Sequence, residues 1–118
     1  MNAKALLIAA AVLTIPAAAL AHHGWSGQEE KLSVLEGPIQ SVRYLNPHGE
    51  VEIIAADKAR WTITLAPLAR MQARGLTKEK LVVGQTVRVE GHRSLVKDRR
   101  ELKANKITIG GVTTDLLA

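Results

Sequence analysis

The chain carries four histidines, and two of them stand side by side at His22 and His23, directly after Ala19-Leu20-Ala21. Imidazole nitrogen is a good ligand for Cu(II), Zn(II) and Ni(II), and a free α-amine on the same residue adds a second nitrogen. That amine exists only if the chain begins at His22. The preceding segment points to such a beginning: Lys4 comes before an apolar run from Ala5 to Ile15, Pro16 breaks the run, and Ala19 and Ala21 give the A-x-A spacing that a signal peptidase accepts. The run is shorter than the ~20 apolar residues that span a bilayer. Residues 1–21 are therefore expected to be a cleaved signal peptide, with the mature protein in the periplasm and no integral membrane segment left after processing. Cleavage after Ala19 instead would leave Leu20-Ala21-His22, whose third-position histidine is itself a planar Cu(II) or Ni(II) site.

Two ligand geometries follow from a start at His22. In a histidine brace, His22 binds through its amine and its own ring, and His48 or His92 supplies a third nitrogen. In the local mode, the amine, the deprotonated His22–His23 amide and the His23 ring bind in one plane, which suits tetragonal Cu(II) and Ni(II). Divalent affinity rises to copper along the first-row series, so Cu(II) is expected ahead of Zn(II). His22, His23 and His48 are the expected metal ligands. His92 follows Gly91 and precedes Arg93, and reads as an exposed strand-end histidine ahead of a ligand. Plainer roles stand beside these. His22 and His23 could merely open an arm that Trp25 tethers to the domain, and His48 could complete a turn for which Asn46, Pro47 and Gly49 already suffice.

Composition narrows the other classes of function. The chain has no cysteine, so thiolate chemistry and disulfides are excluded. Ser26, Ser33, Ser41 and Ser94 lack a Gly-x-Ser-x-Gly context, and no paired carboxylates stand at a recognisable spacing, so no enzyme is expected. The formal charge is +5, and Lys97-Asp98-Arg99-Arg100 with Arg88 and Arg93 could form a basic patch. With two Trp, one Tyr and no Phe, however, the chain lacks the interleaved aromatic and basic face of single-strand binders, and nucleic acid is not an expected partner. The expected function is metal carriage or buffering, exchanged with a periplasmic protein partner. The alternative is a metal-free module for an anionic ligand, a membrane surface or a protein partner.

The elements that would position these residues read mostly as strands. A first strand runs through Ile39, Val42 and Tyr44 to the turn at Asn46-Pro47-His48-Gly49. "VEIIAA" and "RWTITLA" then alternate with the two-residue period of half-buried strands, joined by the polar turn Asp57-Lys58-Ala59-Arg60. Pro67 suits a helix start and Gly75 a helix stop, with Leu68 and Met71 on one face, and Thr77 could open one more helical turn. Alternation returns at Val87 and Val89. A charged tip at "VKDRRE" then leads to a last strand, "LKANKITIG", whose apolar phase breaks between Ala104 and Ile107 as a β-bulge would cause. Three strands, a short helix and two strands is the element order of an OB-like barrel. The expected fold is thus mainly β: a small five-stranded OB-like barrel with one short helix between strands 3 and 4. The division is 1–21 signal peptide, 22–33 N-terminal arm, 34–111 barrel and 112–118 C-terminal tail. Ile39, Val42, Val51, Ile53, Ile63, Leu65, Val87, Val89 and Ile107 should share one core, with Leu68–Arg74 capping an end.

Several of these stretches together carry a resemblance. A signal segment ending before "HHGW", the "NPHG" turn, Trp61 in the third strand, "LARMQARGLTKEKLVVGQTVRVEG" and "ELKANKI" resemble a family of exported bacterial proteins known as domain of unknown function 6152. The resemblance covers nearly the whole mature chain and implies a periplasmic β-barrel domain without supplying an activity.

Overall fold

The computed structural model describes residues 27–118. Its longest strand, β1 (Ser33–Arg43), serves two neighbours in turn. The first half pairs antiparallel with β4 (Thr86–Arg93), from Ser33 opposite Gly91 to Pro38 opposite Thr86. The second half pairs with β2 (Glu50–Ile54), from Ile39 opposite Ile53 to Arg43 opposite Glu50. Gly37 stands at the changeover, where a Cβ would lie 1.9 Å from the Ile54 carbonyl oxygen. Only glycine lets the two backbones come this close.

The β2 strand turns back into β3 (Arg60–Thr64), and β3 leads through Pro67 into α1 (Leu68–Ala73) and a 3₁₀ turn at Lys78–Lys80. The β4 strand then forms a hairpin with β5 (Glu101–Ile109). Parallel pairing of β3 with β5, through Thr62 and Glu101, Ile63 and Leu102, and Thr64 and Lys103, closes the five strands into a barrel. The expected OB-like order, with one short helix between strands 3 and 4, is the observed one. Among the described residues no helix is long and apolar enough to cross a membrane.

Alternation decides what fills the barrel. Ile39, Val51, Ile53, Ile63, Leu65, Val87, Val89 and Ile107 are all buried, and Trp61 joins them on the β3 face. Removing such side chains from water stabilises by about 1.5–3 kcal/mol each. Val42 is only half-buried. The register between β1 and β2 shifts between Ile39 and Ser41, after which Val42 pairs with Val51 and packs against the margin of the core. Met71 of α1, fully buried, closes one end with Leu76 and Leu81. Tyr44 ties that end to β1 by donating its hydroxyl hydrogen to the Leu76 carbonyl at 2.7 Å; burial, with Glu79 nearby, pushes its pKa up.

The C-terminal segment is more than a tail. Val112–Asp115 forms β6, paired antiparallel with β5 across the turn at Gly110 and Gly111, whose φ values of 57° and 81° fit a type I′ hairpin. Leu116 then enters the core at 2 % exposure. Its N–H donates to the Asn105 carbonyl at 2.7 Å, and Arg70 of α1 and Arg74 just past its end donate to the carbonyls of Leu116, Asp115 and Leu117. Short polar strands of this kind carry little periodic signal, and here two glycines and two arginines supply what periodicity does not.

Candidate functional site

A cleft of about 750 Å³ opens where the β1–β2 turn, the end of β3, the start of α1 and the β4–β5 hairpin converge. Pro47 and His48 line it from the turn, Gln28 and His92 from the arm and the end of β4, and Arg70 and Lys103 from α1 and β5. His48 is exposed on the Asn46–Gly49 turn, which Gly49 holds against the end of β3: its N–H donates to the Ala66 carbonyl and its carbonyl accepts from Leu65. The structure thus brings two of the four histidines, His48 and His92, to one cleft. His22 and His23 lie outside the described residues, as does Trp25.

His92 is not the exposed strand-end residue that its neighbours in sequence suggest. It is 9 % exposed. Its Nδ1 sits 2.8 Å from the Glu29 carbonyl and 3.1 Å from the Lys31 carbonyl, which assigns the proton to Nδ1 as donor. Nε2 then accepts from the Asn105 side-chain amide at 3.2 Å. The ring is covered by the arm, through the Glu29 and Lys31 carbonyls, and meets Asn105 at a bulge in β5. Glu90 faces Lys106 but Gly91 faces Ala104, so Asn105 is the extra residue of β5. Gly91 permits the close approach, since a Cβ there would lie 2.0 Å from the Lys103 carbonyl oxygen.

What His92 holds is the arm. Gln28 bridges to Ser94, the Glu29 N–H donates to the Arg93 carbonyl at 2.7 Å, and the Leu95 N–H donates to the Gly27 carbonyl at 2.8 Å. The arm therefore runs antiparallel beside the end of β4 and passes along the cleft wall. Asn105 escaped sequence reasoning as a site residue, although the phase break between Ala104 and Ile107 was the signal for it.

Charge in and near the cleft is mixed. Arg70 is engaged by the Leu116 carbonyl at 3.1 Å, while Lys103 and Glu101 bring opposite signs from β5. On the neighbouring surface Trp61, buried as expected, donates from Nε1 to Asp57 at 3.2 Å and stacks under the Arg93 guanidinium at 4.8 Å. The Ala59 N–H, then the Trp61 indole and the Arg100 charge, hold the Asp57 carboxyl below the usual aspartate range. Among the described residues no three His, Cys, Asp or Glu side chains form a group that could hold a metal ion.

A family model described as a family of unknown function (DUF6152) matches residues 9–103. The chain belongs to the DUF6152 family. No curated protein matches it. The DUF6152 match includes His22, His23, His48 and His92 and ends inside β5, so the Asn105 bulge and β6 lie beyond the matched residues.

Proposed function

We propose that this DUF6152 protein is exported to the periplasm, begins at His22 after processing, and binds Cu(II) for carriage or buffering. His22 supplies its amine, and either its own ring with His48 or the His22–His23 amide with the His23 ring completes the nitrogen set. The observation that carries this reading is that Gln28 and His48 border the same cleft. His22 stands six residues before Gln28, a span of at most about 20 Å of extended chain, so a terminus at His22 is within reach of the His48 ring. His92 is assigned a different task, because its ring nitrogens are committed to the Glu29 and Lys31 carbonyls and to Asn105.

Lys103 and Arg70 on the cleft wall favour a second reading, a metal-free site for an anionic ligand. The two respond oppositely to conditions. Copper bound by amine and imidazole must displace protons, so its affinity falls as pH falls and changes little with salt. An anion held by surface cations weakens sharply with salt. Titration of Cu(II) at two pH values and two salt concentrations is expected to give one equivalent bound at neutral pH; no stoichiometric binding there would refute the copper reading.

A further inference from the structure

His48 and His92 share a cleft but differ in what their rings are already doing. His92 is committed to two carbonyls and an amide, whereas the His48 ring makes no hydrogen bond or ion pair among the described residues. The backbone that carries His48 is nevertheless held fast one residue later. The Gly49 N–H donates to the Ala66 carbonyl, and the Gly49 carbonyl accepts from the Leu65 N–H, both at 2.8 Å. Gly49 is itself buried and rests against α1: a Cβ there would overlap the Met71 methyl and lie 3.1 Å from the Met71 sulfur. The Gly49 φ is not positive, so what the turn requires of this residue is room beside Met71. Met71 is fully buried, and its close-packed surroundings limit how far its end can yield.

We propose that Gly49 and Met71 are positioning residues of the copper site, their contact seating the turn so that His48 enters a histidine brace with the amine and ring of His22. The inference rests on the copper reading above and selects the brace over the local mode. A ligand on a backbone bonded to the end of β3 and packed on a core side chain is placed before the metal arrives, so less freedom is lost when it binds. The local mode takes all its nitrogens from His22 and His23 and would be indifferent to a contact between the β1–β2 turn and α1.

The test is Cu(II) affinity of the protein beginning at His22 and of its variants. Gly49→Ala sets a methyl where the Met71 methyl lies and is expected to weaken binding about tenfold, while Met71→Leu, which nearly conserves volume but removes that methyl, weakens it about threefold. Together the two substitutions exchange one methyl for the other, and the double variant is expected to bind more tightly than Gly49→Ala alone. In a His48→Ala background neither substitution should weaken binding further, because the contact acts only through the His48 ring. Further losses in that background, or His48→Ala binding as tightly as the wild type, would overturn the proposal while leaving copper at the terminus. No stoichiometric binding by the wild type would remove the copper reading and this proposal with it. If Gly49→Ala does not fold, Met71→Leu and its cycle with His48→Ala decide alone, and unchanged affinity in Met71→Leu overturns the proposal.

Discussion

Replacing His92 with alanine should loosen the arm from the barrel, and the cost can be built from its bonds. The ring donates to the Glu29 and Lys31 carbonyls and accepts from Asn105. Lys31 is exposed and water can take over its carbonyl, but Glu29 and Asn105 are half-buried. Leaving one such group unsatisfied costs about 1–3 kcal/mol. With the packing lost by removing a buried ring, a total near 2–3 kcal/mol is expected, which for a domain of this size corresponds to roughly 10–20 °C in Tm. Thermal unfolding by circular dichroism gives the total, and amide exchange locates it. The Leu95 N–H, bonded to the Gly27 carbonyl, should lose protection while the Ile63 N–H in the β2–β3 ladder keeps most of its own. His92→Gln, which retains a donor, should recover part of the loss. A change in Tm under about 3 °C, or unchanged exchange at Leu95, would refute the assignment of His92 as the residue that pins the arm.

Gly91→Ala should be worse than an ordinary strand substitution, by more than about 2 kcal/mol in urea unfolding, because its Cβ would lie 2.0 Å from a backbone oxygen that cannot swing aside. Leu116→Ala should cost about 2–4 kcal/mol by the same assay; a loss under about 1 kcal/mol would mean that the C-terminal segment does not belong to the core. Asp57 has a folded pKa below its ordinary 3.8, so its contribution is fully present above that value and is lost as pH falls through the folded value. Acid unfolding curves of the wild type and Asp57→Asn should therefore converge below about pH 4 and separate above it. Parallel curves would contradict this.

The barrel was legible because "RWTITLA" and "TVRVEG" alternate, "VEIIAA" places Val51, Ile53 and Ala55 on one face, and Pro67 and Gly75 bracket the helix. The phase break at Ala104–Ile107 was legible too, but only as a kink in β5. That Asn105 at this kink meets His92, and that the arm at Glu29 and Lys31 covers the ring, depends on which segments lie side by side, and register between distant segments leaves no local trace. The parallel β3–β5 closure is non-local in the same way. β6 was hidden for another reason: "VTTD" has one strongly apolar residue, and its strand conformation comes from the Gly110-Gly111 turn and from Arg70 and Arg74 on and just past α1. The turn that carries His48 is legible in Asn46, Pro47 and Gly49. That its turn faces the arm across one cleft follows from barrel closure, which periodicity does not encode.

The central proposal is that cleavage before His22 creates a copper ligand set. The most direct measurement is Cu(II) affinity for the protein beginning at His22, its N-terminus fixed by intact mass, against the same protein with its terminal amine acetylated. Blocking the amine removes the first nitrogen and is expected to weaken binding by two orders of magnitude or more, about 3 kcal/mol, with the fold unchanged. In the same titration His48→Ala should weaken binding if the brace forms, and His23→Ala if the local mode forms. Equal affinity of the free and acetylated proteins would contradict the proposal and leave His22 and His23 as the plain start of an arm.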